Sequence, residues 1–317
     1  MSTTPTDVVG RPPVILVPST APIGAVAGSL PKSPLPGVNV LLEGSTGTGK
    51  TYSLGTLVET GLEVFLLGTE SGIESLFGYF TDPPPDGKGV KPTDLPPNLH
   101  WHMIKPVLSG FLELAAAAHR VNTITLDAWA KITDPERGKF NRFVELLTVL
   151  ADFPDDRTGK KYGAVDSWGT ERVLVIDSLT GLGHFAMALV VGGKPVKSLP
   201  EWGAAQDQLE RLLRQACDGC RCHFVLLAHQ EREIDQVNGG MVLTVSTLGK
   251  ALAPKLPPMF SDVVMSYREG ANFFWSTIRQ NADLKKRNLP LAEGIKPDFR
   301  QIIEKWKSRG GLLEGQL

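Results

Sequence analysis

The run Gly44-Ser45-Thr46-Gly47-Thr48-Gly49-Lys50-Thr51 constrains this chain more than any other stretch. It fits G-x-x-x-x-G-K-[ST] at every fixed position, and each residue type follows from the task. Glycines let consecutive backbone N–H groups turn inward around a phosphate, and a helix starting at the lysine points its positive end at the same anion. Lys50 brings a mobile charge to the β- and γ-phosphates of a nucleoside triphosphate, and the Thr51 hydroxyl is a ligand for Mg2+. Such a loop works between a buried strand and a helix. Both are present, because 38–42 is a short apolar run and 50–60 reads as a helix stopped by Gly61. The ligands implied are ATP and Mg2+.

A triphosphate site also needs an acidic residue that reaches the metal from the end of another strand. Val173-Leu174-Val175-Ile176-Asp177 has that form. The next residue is Ser178 and not glutamate, so the group that activates water must come from elsewhere. Glu70, in Leu67-Gly68-Thr69-Glu70-Ser71-Gly72 after the apolar run 64–67, is the candidate base. It reaches the γ-phosphate provided its strand lies beside the phosphate-loop strand. His229 and Gln230 end the apolar run 224–228. An amide there can bond the γ-phosphate and report its loss to 231–240, which reads as a long, polar, mobile loop. The expected catalytic set is Lys50, Glu70 and Gln230; 44–51 hold the nucleotide, and Thr51 with Asp177 hold the metal.

Around these motifs the pattern is one of short apolar strands alternating with amphipathic helices. Strands are expected at 98–104, 241–246, 262–267 and 272–278 as well as those above. Helices are expected at 111–119, at 140–153 with Phe143, Leu146, Leu147 and Leu150 inward, and at 201–217 with Leu209, Leu212, Leu213 and Ala216 inward. Segments 81–97 and 155–169 read as loops. This alternation argues for an α/β fold with a mainly parallel sheet covered on both faces. Residues 1–36 carry eight prolines and read as an extended arm in which 14–17 can add as a strand to a sheet edge.

Cysteine and charge narrow the setting. Cys217, Cys220 and Cys222 fall within six residues, too close for a disulfide framework, which fits a reducing cytoplasm. With His223 they have some look of a zinc site, but no second ligand pair exists, and cysteine as a small buried hydrophobe is the preferred reading. No apolar run reaches the ~20 residues of a membrane span. Net charge is −1, yet 268–309 holds ten Lys and Arg against five Asp and Glu. A polyanion is therefore sought there first, at Lys285-Lys286-Arg287, with Phe273, Phe274 and Trp275 as possible stacking surfaces for bases.

Taken together, G-S-T-G-T-G-K-T, T-E-S-G at 69–72, V-L-V-I-D-S-L-T at 173–180 and L-L-A-H-Q-E at 226–231 resemble the RecA/Rad recombinase superfamily. With A-D-L-K-K-R-N-L-P at 282–290 and P-D-F-R-Q-I-I at 297–303, the chain resembles more closely the minimal RecA-like ATPases of phages, including the Sak-type single-strand annealing group. That resemblance implies a RecA-like core over 37–310, after the arm 1–36 and before a tail at 311–317. It implies ATP held between subunits of a ring or filament, single-stranded DNA as partner, and a bacterial host cytoplasm shared with phage or host single-strand-binding proteins. It also gives Gln230 the role of coupling nucleotide state to a DNA loop. Lys250, Lys255, Lys285 and Arg287 are basic residues able to reach across a subunit interface. Two departures stand out: 80–170 is longer than a minimal member needs and reads as an insertion, and no N-terminal DNA-binding domain is recognisable. The function implied is a DNA-stimulated recombinase or annealing ATPase. A DNA motor or helicase loader, and a nucleotide-gated assembly module with negligible turnover, are the alternatives.

Overall fold

Strands that carry apolar residues at successive positions cannot keep one face wet, so they belong in the middle of a three-layer molecule. The computed structural model describes residues 33–82, 91–105, 110–125, 127–128, 131, 137–194, 197–235, 239–279 and 281–314. Its main sheet has seven strands, in the order β3-β2-β4-β5-β1-β8-β9. These are β1 Asn39–Gly44, β2 Glu63–Gly68, β3 Leu99–Met103, β4 Arg172–Asp177, β5 His223–Ala228, β8 Asp262–Glu269 and β9 Asn272–Ser276. Every neighbouring pair is parallel except β8 and β9, which form an antiparallel hairpin.

Alternate residues of each strand feed different cores. Leu41, Phe65, Leu67, Leu174, Ile176, Phe224 and Leu226 face one layer with α4 (Arg142–Ala151), α5 (Leu179–Val191) and α6 (Leu199–Arg214), preceded in the chain by α1 (Lys50–Val58), α2 (Glu74–Thr81) and α3 (Phe111–Thr123). Val40, Leu42, Val64, Leu66, Val173, Val175, Val225 and Leu227 face the other, with α1, α2 and α7 (Arg300–Ser308). The parallel strands all point the same way. Their C-terminal ends therefore bring the phosphate loop, the Thr69-Glu70 turn, Asp177 and His229 to one edge, where ligands of open α/β sheets bind.

The fold is the expected α/β one, with several corrections. β2 does not neighbour β1; β4 and β5 lie between them. The expected mobile loop 231–240 begins as a strand, β6 (Gln230–Asp235), paired antiparallel with β7 (Gly240–Val245) in a separate two-stranded sheet. Leu147 is exposed, and Val149 takes the inward place instead. Part of 80–170 is integral and not appended: β3 is the edge strand beside β2, and Phe143, Leu146 and Val149 of α4 lie in the core. Of the expected arm, 1–32, including 14–17, lie outside the described residues. Its last residues are tied down, since Trp306 Nε1 donates to Pro36 O (2.8 Å) and Arg221 donates to Ser33 O (2.7 Å). Glu314 of the expected tail pairs with Arg221 at 2.8 Å. Among the described residues no helix is long and apolar enough to cross a membrane.

Candidate active site

The phosphate loop takes its shape from where side chains are impossible. A Cβ on Gly44 would meet Ser266 O of β8 at 2.3 Å, and Gly47 and Gly49 have φ of 74° and 82°, a region L-residues rarely adopt. β8 also pins the loop from behind, with Ser266 Oγ donating to Thr48 O (2.7 Å). Lys50 opens α1, and its ammonium donates to Gly44 O (2.8 Å) and Ser45 O (2.9 Å), so it bridges the turn that a phosphate would enter. Burial pushes its pKa down to about 8, against the pull of Asp177 and Glu70.

One turn along, Thr51 Oγ1 donates to Asp177 Oδ2 at 2.8 Å. Burial pushes the Asp177 carboxyl up, opposed by the Thr51 bond and Lys50 and reinforced by the charge of Glu70. A hydroxyl and a carboxylate together are hard oxygen ligands. They suit Mg2+, which keeps water and phosphate for its other positions. The residues present fit that ion.

Glu70 reaches the cleft by a route the sequence does not announce. Thr69, itself buried, donates from Oγ1 to Ser178 O (3.1 Å) and accepts from Ser178 N–H (2.9 Å), lacing the end of β2 to the end of β4. Ser178 Oγ then donates to Glu70 Oε2 at 2.9 Å. α5 closes against this lacing through Gly181, where a Cβ would meet Thr69 Oγ1 at 2.1 Å. His229 Nε2 lies 3.9 Å from Glu70 Oε2, near enough for charge attraction but too long for a hydrogen bond. His229 and the Ser178 hydroxyl hold the Glu70 carboxyl below its usual range, so it is ionised at neutral pH.

A cleft of about 750 Å3 joins these groups, lined by 46–52, Glu70, Asp177, His229 and Phe273 among others. That volume suits a nucleotide-sized ligand. Its carboxylates are Glu70, Glu74, Asp82 and Asp177, against Lys50 and His229 as basic groups. Gln230 is not among the lining residues. Its Nε2 donates instead to Glu43 Oε1 at 2.8 Å, behind the loop. Glu43 is buried at the end of β1, and burial pushes its carboxyl up to about 7. Sequence reasoning missed Glu43, although a carboxylate inside Val40-Leu41-Leu42-Glu43-Gly44 is a visible signal. Phe273, expected as a stacking surface for bases of DNA, lies instead in this cleft, its ring 3.1 Å from where a Gly49 Cβ would sit.

The other expected groups lie elsewhere. Trp275 is fully buried, which removes it as a stacking surface, and Phe274 packs on Tyr267. Lys250 pairs with Glu233 (3.4 Å) and Lys255 with Glu210 (2.7 Å). Cys217 and Cys222 sit in the core, and burial pushes the Cys217 thiol up to about 12.

Among solved structures, the chain is similar to the RadB recombinase at 15% identity, covering 82% of this chain and 86% of that one with a TM-score of 0.36. It is similar also to the flagellar accessory protein FlaH from Methanocaldococcus jannaschii at 11% identity, covering 81% and 83% with a TM-score of 0.35. No curated protein matches. The family model described as "AAA domain" matches residues 37–289, about four-fifths of the sequence and the whole of the sheet that carries the cleft. The chain belongs to this family of P-loop ATPase domains.

Proposed function

We propose that the protein is a Mg2+-dependent ATPase that assembles as a homo-oligomer on single-stranded DNA, as a phage recombinase or annealing protein does. The observation that carries the ATPase reading is the meeting of Thr51, Asp177 and Glu70 around the phosphate loop. In that reading Lys50 exchanges the Gly44 and Ser45 carbonyls for phosphate oxygens. Thr51 and Asp177 would hold Mg2+, which would supply charge neutralisation for the triphosphate. Glu70, held by Ser178, accepts a proton from water as its oxygen bonds the γ-phosphorus and the bond to ADP breaks.

Assembly is supported by the charge of the cleft. Among its described lining residues four carboxylates face Lys50 and His229, so transition-state charge is under-compensated unless a second copy adds a cation. The β6–β7 sheet supports coupling to a partner, because it joins the site at both His229 and Gln230. Ser246 N–H donates to His229 O (2.7 Å), and Gln230 bonds Glu43. Coupling thus runs through the strand beneath the loop and not through a direct γ-phosphate contact of Gln230. Phosphate release measured with and without single-stranded DNA, at increasing protein concentration, tests the whole reading. Hydrolysis that rises with both supports it; turnover indifferent to DNA and to concentration would overturn the DNA and oligomer parts.

A further inference from the structure

The basic excess of 268–309 separates in the structure into cations that lie away from two surface clefts and cations that line them without an ion pair. Lys285 Nζ donates to Phe260 O at 2.7 Å, Arg279 stacks over Tyr267, and Arg300 pairs with Asp298 (2.6 Å) and Glu59 (3.0 Å). Lys286, Arg287, Lys305 and Arg309 are exposed, and none of them forms an ion pair with a described carboxylate. These four line two adjoining clefts of about 680 and 580 Å3, which share Lys286, Arg287, Asn288 and Arg309. Glu304 is the acidic residue among the lining groups.

The arrangement is anchored from below. Asp262, fully buried, accepts from Arg287 N–H (2.6 Å), Asn288 N–H (2.7 Å) and Asn288 Nδ2 (2.7 Å). Asn288 Oδ1 in turn accepts from Arg309 Nη1 at 3.3 Å. One buried carboxylate therefore fixes the turn that presents Lys286 and Arg287 and, through Asn288, steadies Arg309 at the end of α7. The second cleft is also lined by Gly37, Val38 and Ser261, which precede β1 and β8. It lies at the opposite end of those strands from the phosphate loop, a six-residue strand of about 20 Å away.

We propose that this groove, built from Lys286, Arg287, Lys305 and Arg309, binds the sugar–phosphate backbone of single-stranded DNA. The proposal rests on the DNA reading above and adds to it the surface that meets the strand. Free, anchored cations on a concave surface are what phosphate neutralisation requires, and arginine forks add geometry to charge. The single strand is taken from the proposed function, and a duplex is the competing occupant that the test separates. Among the described lining residues there is no exposed aromatic ring, since Trp306 is buried. Binding there reads phosphate and not sequence, and it leaves the nucleotide cleft open.

The test is fluorescence anisotropy of a labelled oligo-dT over a range of salt concentrations, with the full chain. Lys286→Ala/Arg287→Ala/Arg309→Ala should weaken binding at least ~10-fold at low salt. It should also make the slope of log affinity against log salt shallower by about 2, at ~0.7 for each phosphate no longer neutralised. The charge-keeping Lys286→Arg/Arg287→Lys/Arg309→Lys should retain the slope, which separates lost charge from lost folding. Lys285→Ala should leave the slope unchanged, because Lys285 lines neither cleft and its ammonium is turned to Phe260 O. If the wild type binds and the triple alanine variant keeps its slope, the groove is wrong and the DNA reading stands. If the wild type does not bind at all, both fall. Tighter binding of duplex than of single strand would overturn the assignment to one strand.

Discussion

Glu43→Gln should make the protein's stability depend differently on pH, and the size of the change follows from burial. The Glu43 carboxyl is 3% exposed, packed between β5 and β8, and accepts a hydrogen bond from Gln230. Burial raises its pKa from 4.5 to about 7; the Gln230 bond opposes the shift and Asp283 adds to it. Between those two values the native state holds a proton that the unfolded chain has released. Stability from this group is thus full below pH 4.5 and is lost as pH rises through 7. At ~1.4 kcal/mol per pH unit the loss is on the order of 3 kcal/mol. Glutamine keeps the shape, still accepts from Gln230 and never ionises. The variant and the wild type should therefore match near pH 4.5, and the variant should gain steadily to pH 8, by on the order of 3 kcal/mol in unfolding free energy. Urea titrations of both proteins without nucleotide, at half-unit steps of pH, measure the difference directly. A difference that stays flat with pH, or that shrinks as pH rises, would refute a buried, protonated Glu43.

Three further expectations follow from the site. Glu70→Gln should keep nucleotide affinity while phosphate release falls by ~10²- to 10⁴-fold, the range for losing a positioned base; normal turnover would place the base elsewhere. Lys50→Ala should lower hydrolysis at least ~100-fold, read in the same assay, as expected for a lost transition-state donor. His223 is fully buried with Nδ1 accepting from Val38 N–H, and burial lowers its pKa from 6.5 to about 4. It should contribute a loss of stability as pH falls from 6.5 to 4, on the order of 3 kcal/mol, because only the unfolded chain takes up the proton. His223→Asn, which cannot take one up, should show a correspondingly flatter profile by urea unfolding.

Most of the sheet is legible in the sequence because strands buried on both faces leave uninterrupted apolar runs. The elements that escape do so for physical reasons. α5, Leu-Thr-Gly-Leu-Gly-His-Phe-Ala-Met-Ala-Leu-Val-Val, is apolar nearly all round, so it carries no 3.6-residue contrast. Its glycines look like breakers but serve close approach, Gly181 to Thr69 and Gly183 to Leu248. α2 is short and aromatic, and it is fixed by Tyr79 packing on Gly55, where a Cβ would lie 2.1 Å from the ring. β6, Gln-Glu-Arg-Glu-Ile-Asp, has a loop's composition, and only pairing with β7 makes it a strand.

The site divides along the same line. The phosphate loop and Asp177 are local signals, each a residue type fixed at a spacing along one element. Glu70 depends on tertiary geometry, and the adjacency of β2 to β1 on which its expected reach depends does not hold. Its position comes from Thr69 and Ser178, two small hydroxyl residues that join β2 to β4 across a sequence separation of 109. The absence of glutamate after Asp177 then has a structural meaning. Ser178 occupies that place as the donor to Glu70, so in the proposed mechanism the strand that carries Asp177 also orients the base. Gln230 illustrates the opposite case. A polar residue at that strand end reads as a partner for the nucleotide, but β5 is followed at once by β6, which turns His229 into the cleft and Gln230 behind it. The alternation of side chains at that one junction decides which residue meets the ligand, and it is set by the pairing of β6 with β7.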